Sequence, residues 1–146
     1  MAATTASDAT TTGRLRARRW ALLALQVLLA LVYVASGLGK VTLEATVVAG
    51  FTAMGIGPGL TVTIGVLEML GAVGLLVPRI AGLAATAFVA LMVGAVGITA
   101  ATIGVGMILV PAVVLVLVAV VAWARRHETA ALLRDPRSAF TAPRRA

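Results

Sequence analysis

Between Trp20 and Ala124 the only charged side chains are Lys40, Glu44, Glu68 and Arg79. A water-soluble domain must cover its surface with polar groups, and about a quarter of its residues are charged. A stretch this long and this nearly uncharged is compatible with a surface that faces lipid. Every backbone N–H and C=O in lipid must be satisfied internally, so the segments that cross are helices or closed barrels. Long apolar runs without two-residue alternation select helices.

The net charge of +7 does not mark a nucleic-acid binder, because of where the charge lies. Arg14, Arg16, Arg18 and Arg19 precede the apolar body, and Arg125, Arg126, Arg134, Arg137, Arg144 and Arg145 follow it. Basic flanks on an apolar body mark cytoplasmic membrane ends. The chain has no cysteine and one histidine, His127 in the C-terminal flank. Disulfides, thiol chemistry, cysteine-held iron–sulfur clusters and a haem held by two intramembrane histidines are therefore excluded for this chain alone, and no metal site is expected. The richness in Ala, Val, Gly and Arg suggests a bacterial genome of high GC content.

Residues 1–19, Ala/Thr-rich then Arg-rich, read as a disordered basic cytoplasmic tail, and 126–146 as a second basic cytoplasmic tail. Between them, 20–125 forms an all-α domain of four transmembrane helices. A span needs roughly 20 residues at ~1.5 Å each. The spans run from Trp20 to Leu38, Leu60 to Val77, Ile80 to Ala100 and Met107 to Ala124. A signal peptide cleaved near Val34-Ala35-Ser36 is the competing reading of the first, but the spans that follow favour an anchor. Residues Val41 to Met54 are expected as a short helix at the outer surface, and Met54 to Gly59 as a loop. Pro78-Arg79 ends the second span, and Pro111 falls in the first turns of the fourth, where a missing N–H costs least. In this arrangement both arginine flanks, Arg79, Trp20 and Trp123 lie on one side. The positive-inside rule makes that side the cytoplasm, so both termini are cytoplasmic.

Glu68 is the sharpest candidate for chemistry. It lies roughly 12 Å below the outer end of its helix, where a carboxylate costs about 2.5 kcal/mol or more to insert. Such a group faces the interior and has a partner, either as helix glue or as part of a site. Gly65, Gly71, Ala72 and Leu75 share its face, and small residues there permit close helix approach. Lys40 is the expected partner. Side chains lean toward their own helix N-terminus, so on antiparallel helices Lys40 leans inward and Glu68 outward. The alternative is a Lys40 that snorkels to the headgroups. Glu44, four residues on, reads as a solvated interfacial acid. Tyr33 either packs or hydrogen-bonds Glu68 or a ligand carbonyl. A small cavity lined by Lys40, Glu68 and Tyr33 is expected to open toward the outer half of the membrane, with residues 41–54 and the Pro58 loop as its outer lid. Gln26 could bridge helices. Gly55-x-Gly57-x-Gly59 has no Lys-Ser/Thr after it and reads as a loop.

Three segments carry a resemblance: Ser36-Gly37-Leu38-Gly39-Lys40, then Met54-Gly55-Ile56-Gly57-Pro58, then Ile64-Gly65-Val66-Leu67-Glu68 through Pro78-Arg79, with Pro111-Ala112 further on. Together they resemble the DoxX-like family of small four-helix membrane proteins over about residues 20–125. One departure stands out. Many members carry a His after a Thr near the end of the third span, and here Thr99 is followed by Ala100.

The resemblance implies a multi-pass protein of the bacterial cytoplasmic membrane, acting as a quinone-associated or redox-complex subunit that docks a soluble redox protein. A quinone is the cofactor it implies, with Lys40, Glu68 and Tyr33 as ligand-binding candidates. The alternatives are a small transporter or channel, which would need a homo-oligomer to enclose a wide pore, and a scaffolding protein without catalysis. No catalytic residue is expected, and the partners are the lipid bilayer and proteins, not nucleic acid.

Overall fold

A computed structural model describes residues 4–134. Those residues are almost wholly helical: α1 Thr4–Val41, α2 Ala45–Ala53, α3 Pro58–Leu76, α4 Ala81–Thr102, α5 Leu109–Ala124 and α6 Arg126–Arg134, with a 3₁₀ turn Val105–Met107 before α5. Three of them are long and apolar enough to cross a membrane, namely α1 over Gly13–Val41, α3 and α4, and α5 is a shorter apolar helix. The 16 residues of α5 reach about 24 Å, against about 28 Å for the 19 of α3.

The boundaries follow local chemistry. Pro58 opens α3 at a position that needs no N–H donor. Beyond α2, Gly55 adopts φ +75°, and Ile56 N–H bonds back to Phe51 O at 2.9 Å, which closes that helix and turns the chain toward α3. Pro111 is the third residue of α5, as its place in the first turns anticipates. The flanks differ from the expectation. Residues 4–19 continue α1, since extending an existing helix adds one hydrogen bond per residue fixed and requires no new nucleus. In the C-terminal flank 126–134 form α6, whereas 1–3 and 135–146, with Arg137, Arg144 and Arg145, lie outside the described residues.

Packing runs α1 on α3, α3 on α4, α4 on α5 and, less extensively, α5 back on α1. Each helix turns one stripe inward at alternating steps of three and four: Gln26, Leu29, Tyr33 and Lys40 on α1; Thr61, Gly65, Glu68, Ala72 and Leu75 on α3; Ala81, Ala85, Phe88 and Met92 on α4; Val118 and Val121 on α5. The distribution of polarity is inverted relative to a soluble protein. Gln26, Lys40, Thr61 and Glu68 are buried, whereas Leu31, Leu70 and Val116 are all more than 60% exposed. Lipid is the solvent that such a surface requires.

One end is fastened by a polar clasp. Gln26 Nε2 donates to Leu75 O at 3.3 Å, and its Oε1 accepts from an Arg125 terminal nitrogen at 2.8 Å. The other terminal nitrogen of Arg125 donates to Pro78 O at 3.4 Å and to Glu128 at 2.8 Å. The clasp ties α1, the end of α3 and the α5–α6 junction. It also places Trp123 and Arg79 at the end of the molecule from which α1 runs up through Gln26.

Candidate functional site

At the opposite end, α1 and α3 approach closely enough for backbone contact. A Cβ on Gly37 would stand 2.7 Å from Gly65 O, and one on Gly65 would stand 2.8 Å from both Gly37 O and Lys40 Cβ. Only glycine fits such a crossing. The crossing brings together the two residues that the antiparallel lean predicts to meet. Lys40 Nζ donates to Glu68 Oε2 at 2.8 Å, with both side chains at least nine-tenths buried. Lys40 also donates to Ser36 Oγ at 2.6 Å and to Ser36 O at a longer 3.4 Å. All three ammonium donors are thereby engaged. Among the described residues, Glu68 accepts only from Lys40, so its second oxygen keeps free acceptor capacity.

Tyr33 is one turn below Ser36 on the same face. Its ring stacks on Phe88 of α4, centroids 3.7 Å apart and 10° from parallel. That packing fixes the phenol, whose hydroxyl is buried without a hydrogen-bond partner. A buried unpartnered hydroxyl costs stability and usually has a functional or ligand-related explanation.

These groups border a cavity of about 680 Å³. Its walls come from α1, α3, α4 and α5, mostly as Val, Leu, Ile, Ala and Met, and its roof from Phe51, Met54 and Ile56. The α2 segment, expected as an outer-surface helix and lid, lies over the ion pair, with Phe51 presenting its ring 5.5 Å from Lys40 Nζ. Pro111 and Thr99 also line the space. Glu44 is exposed, bonded to Thr46 Oγ1 at 3.0 Å and not ion-paired with Lys40. Of the small residues around Glu68, Gly65 faces α1, whereas Gly71 lies against Phe88 of α4.

Sequence reasoning did not anticipate Ser36, Phe51 or the inward Arg125. Ser36 stands four residues before Lys40 and hence on its face. Arg125 continues the buried stripe of α5 at Val118, Val121, Arg125, a spacing of three and four that could have revealed it. Phe51 left no comparable signal, because its position depends on how α2 folds back.

A family model described as DoxX-like matches residues 24–121. The chain belongs to the DoxX-like family. Comparison with curated proteins gave no match, and neither did comparison with solved structures. The DoxX-like match spans Lys40, Glu68, Tyr33 and every residue of the cavity wall. Family membership and the apolar helices together make this a multi-pass membrane protein.

Proposed function

We propose that this DoxX-like chain crosses a bacterial cytoplasmic membrane four times and holds one polar-headed, quinone-class lipid between its helices, as the membrane subunit of a redox assembly. The observation that carries the reading is the junction of a buried Lys40–Glu68 pair and an unpartnered Tyr33 hydroxyl on the wall of a largely apolar cavity. Its volume suits one drug-sized ligand, and a few convergent polar groups in an apolar pocket are the usual form of such a site. The residues fit a quinone head. Tyr33 offers a donor for a carbonyl, Glu68 offers an acceptor for a ring hydroxyl, and the walls offer apolar contact. A bound quinone would supply reversible electron and proton uptake, for which the chain has no thiol. Tyr33 and Glu68 orient the head, Lys40 holds Glu68 in place, and α2 shields the pair from water.

Glu68→Gln keeps shape and some hydrogen bonding, so it will be expressed and folded but will retain less ligand. Tyr33→Phe will lose ligand in the same way. Purification in mild detergent followed by lipid mass spectrometry reads both. If quinone is missing from the parent, or equal in parent and variants, the reading fails.

The same proposal places α5 across the membrane and both termini in the cytoplasm. Support comes from the clasp, which gathers Arg125, Arg126, Arg79 and Trp123 at one end, opposite Lys40. Reporter fusions after residue 57 and at residue 146 will report opposite sides. An external residue 146 would rule the arrangement out.

A further inference from the structure

We infer that the cavity opens sideways into the lipid through the cleft between α3 and α4, so that its ligand is a membrane-dissolved amphiphile whose chain lies in that cleft. This rests on the cavity being a ligand site, as proposed above, and adds the route and the ligand's second half. The α3–α4 hairpin is closed at its turn. A Cβ on Gly71 would stand 2.5 Å from Phe88 Cζ, and one on Gly74 would stand 2.9 Å from Ala84 Cβ. Toward the other end the two helices part around the cavity. The cavity occupies this parting, with Leu60 and Ile64 on the α3 wall and Leu91 and Ile98 on the α4 wall.

Two further lining residues show how far it extends. At 3.6 residues per turn, Ala90 and Gly94 project from the side of α4 away from Phe88 and Met92. Both are exposed, and both border the cavity. The space therefore passes round the edge of α4 to the outer surface. Gly37 against Gly65 closes the α1–α3 side, Phe51 and Met54 form the roof, and the Tyr33–Phe88 stack forms the floor, which leaves the α1–α5 side, where the exposed Val32 and Val110 also border the cavity, as the competing exit. A water-borne solute would have to pass α2, whereas a bilayer molecule meets the cleft directly. An amphiphile entering there puts its head at Tyr33 and Glu68 and leaves its chain over Gly94, among residues that are already apolar.

The absence of cysteine allows a direct test. A single cysteine at Ile64, labelled with a bimane fluorophore, reports from the cavity wall in phosphatidylcholine vesicles. Quenching is expected from bromine on the acyl chains and not from aqueous iodide, and Gly94→Trp will remove most of the acyl-chain quenching. Val110→Trp will not, because Val110 borders the cavity on the α5 side. The same label at Ala95 serves should Ile64→Cys fail to fold. Quenching by iodide, by neither agent, or blocked at Val110 and not at Gly94 would overturn the inference. None of these readings depends on quinone. Acyl-chain quenching in a protein that retains no quinone therefore removes the head-group assignment and leaves the route standing.

Discussion

Removing one member of the Lys40–Glu68 pair will destabilise the protein by about 3–5 kcal/mol, and removing both will cost far less, because an unpaired buried charge is worse than none. Lys40→Met strands a carboxylate beneath Phe51 with its cationic partner gone. Glu68→Leu strands an ammonium that keeps only Ser36. The double variant leaves neither, and apolar replacements of similar volume restore packing. Unfolding of the four proteins in one detergent, followed by helicity, gives the cycle directly. Single variants as stable as the parent, or a double variant that loses the sum of the two, would show that the pair does not act as a buried unit. Burial makes the effect large: the two side chains are only 10% and 4% exposed, so screening by water is slight.

Gly65→Val will separate α1 from α3. Even a bare Cβ at Gly65 meets the Gly37 carbonyl and the Lys40 Cβ, both at 2.8 Å, and neither atom can swing aside as the end of a flexible side chain could. Overpacking of this kind costs about 1–3 kcal/mol, and the upper part of that range is expected where the obstruction is backbone. The loss should exceed that of Gly97→Val, whose added atoms enter open space. Thermal unfolding of the two variants beside the parent decides the matter: equal midpoints would mean that the crossing yields without cost. Ligand retention should fall with Gly65→Val as well, since the helix that carries Tyr33 and Lys40 moves away from Glu68.

Much of this arrangement is legible in the sequence, for identifiable reasons. Charge-poor runs bounded by Pro58, Pro78 and Arg125 locate α3, α4 and α5 to within a few residues, because breakers and charges act locally. The meeting of Lys40 with Glu68 is anticipated by antiparallel direction and side-chain lean, and the family resemblance sets it level with a snorkelling Lys40. The continuation of α1 back to Thr4 is not legible in this way. Its Thr-rich composition argues against helix, and only attachment to an existing helix reverses the balance. A lid from residues 41–54 is anticipated, but Phe51 as its contact to Lys40 and the α3–α4 cleft are equally hidden, since they depend on crossing geometry. Gly71 and Gly94 are both small residues in apolar helices, yet Phe88 fills the space beside one and nothing fills the space beside the other.

The hydrogen bonds of Lys40 bear on which molecules the pocket refuses. A lone lysine in a hydrophobic chamber would attract any anion. Here its three N–H groups point to Ser36 and Glu68, so an incoming phosphate or carboxylate finds the ammonium already saturated and meets the Glu68 carboxylate instead. What remains on offer is one phenolic hydrogen and one carboxylate oxygen, a complementary pair suited to an uncharged head that can both accept and donate. If the cavity holds a ligand as proposed, acidic phospholipids, however abundant in the surrounding leaflet, would be turned away by the same lysine that would otherwise have drawn them in.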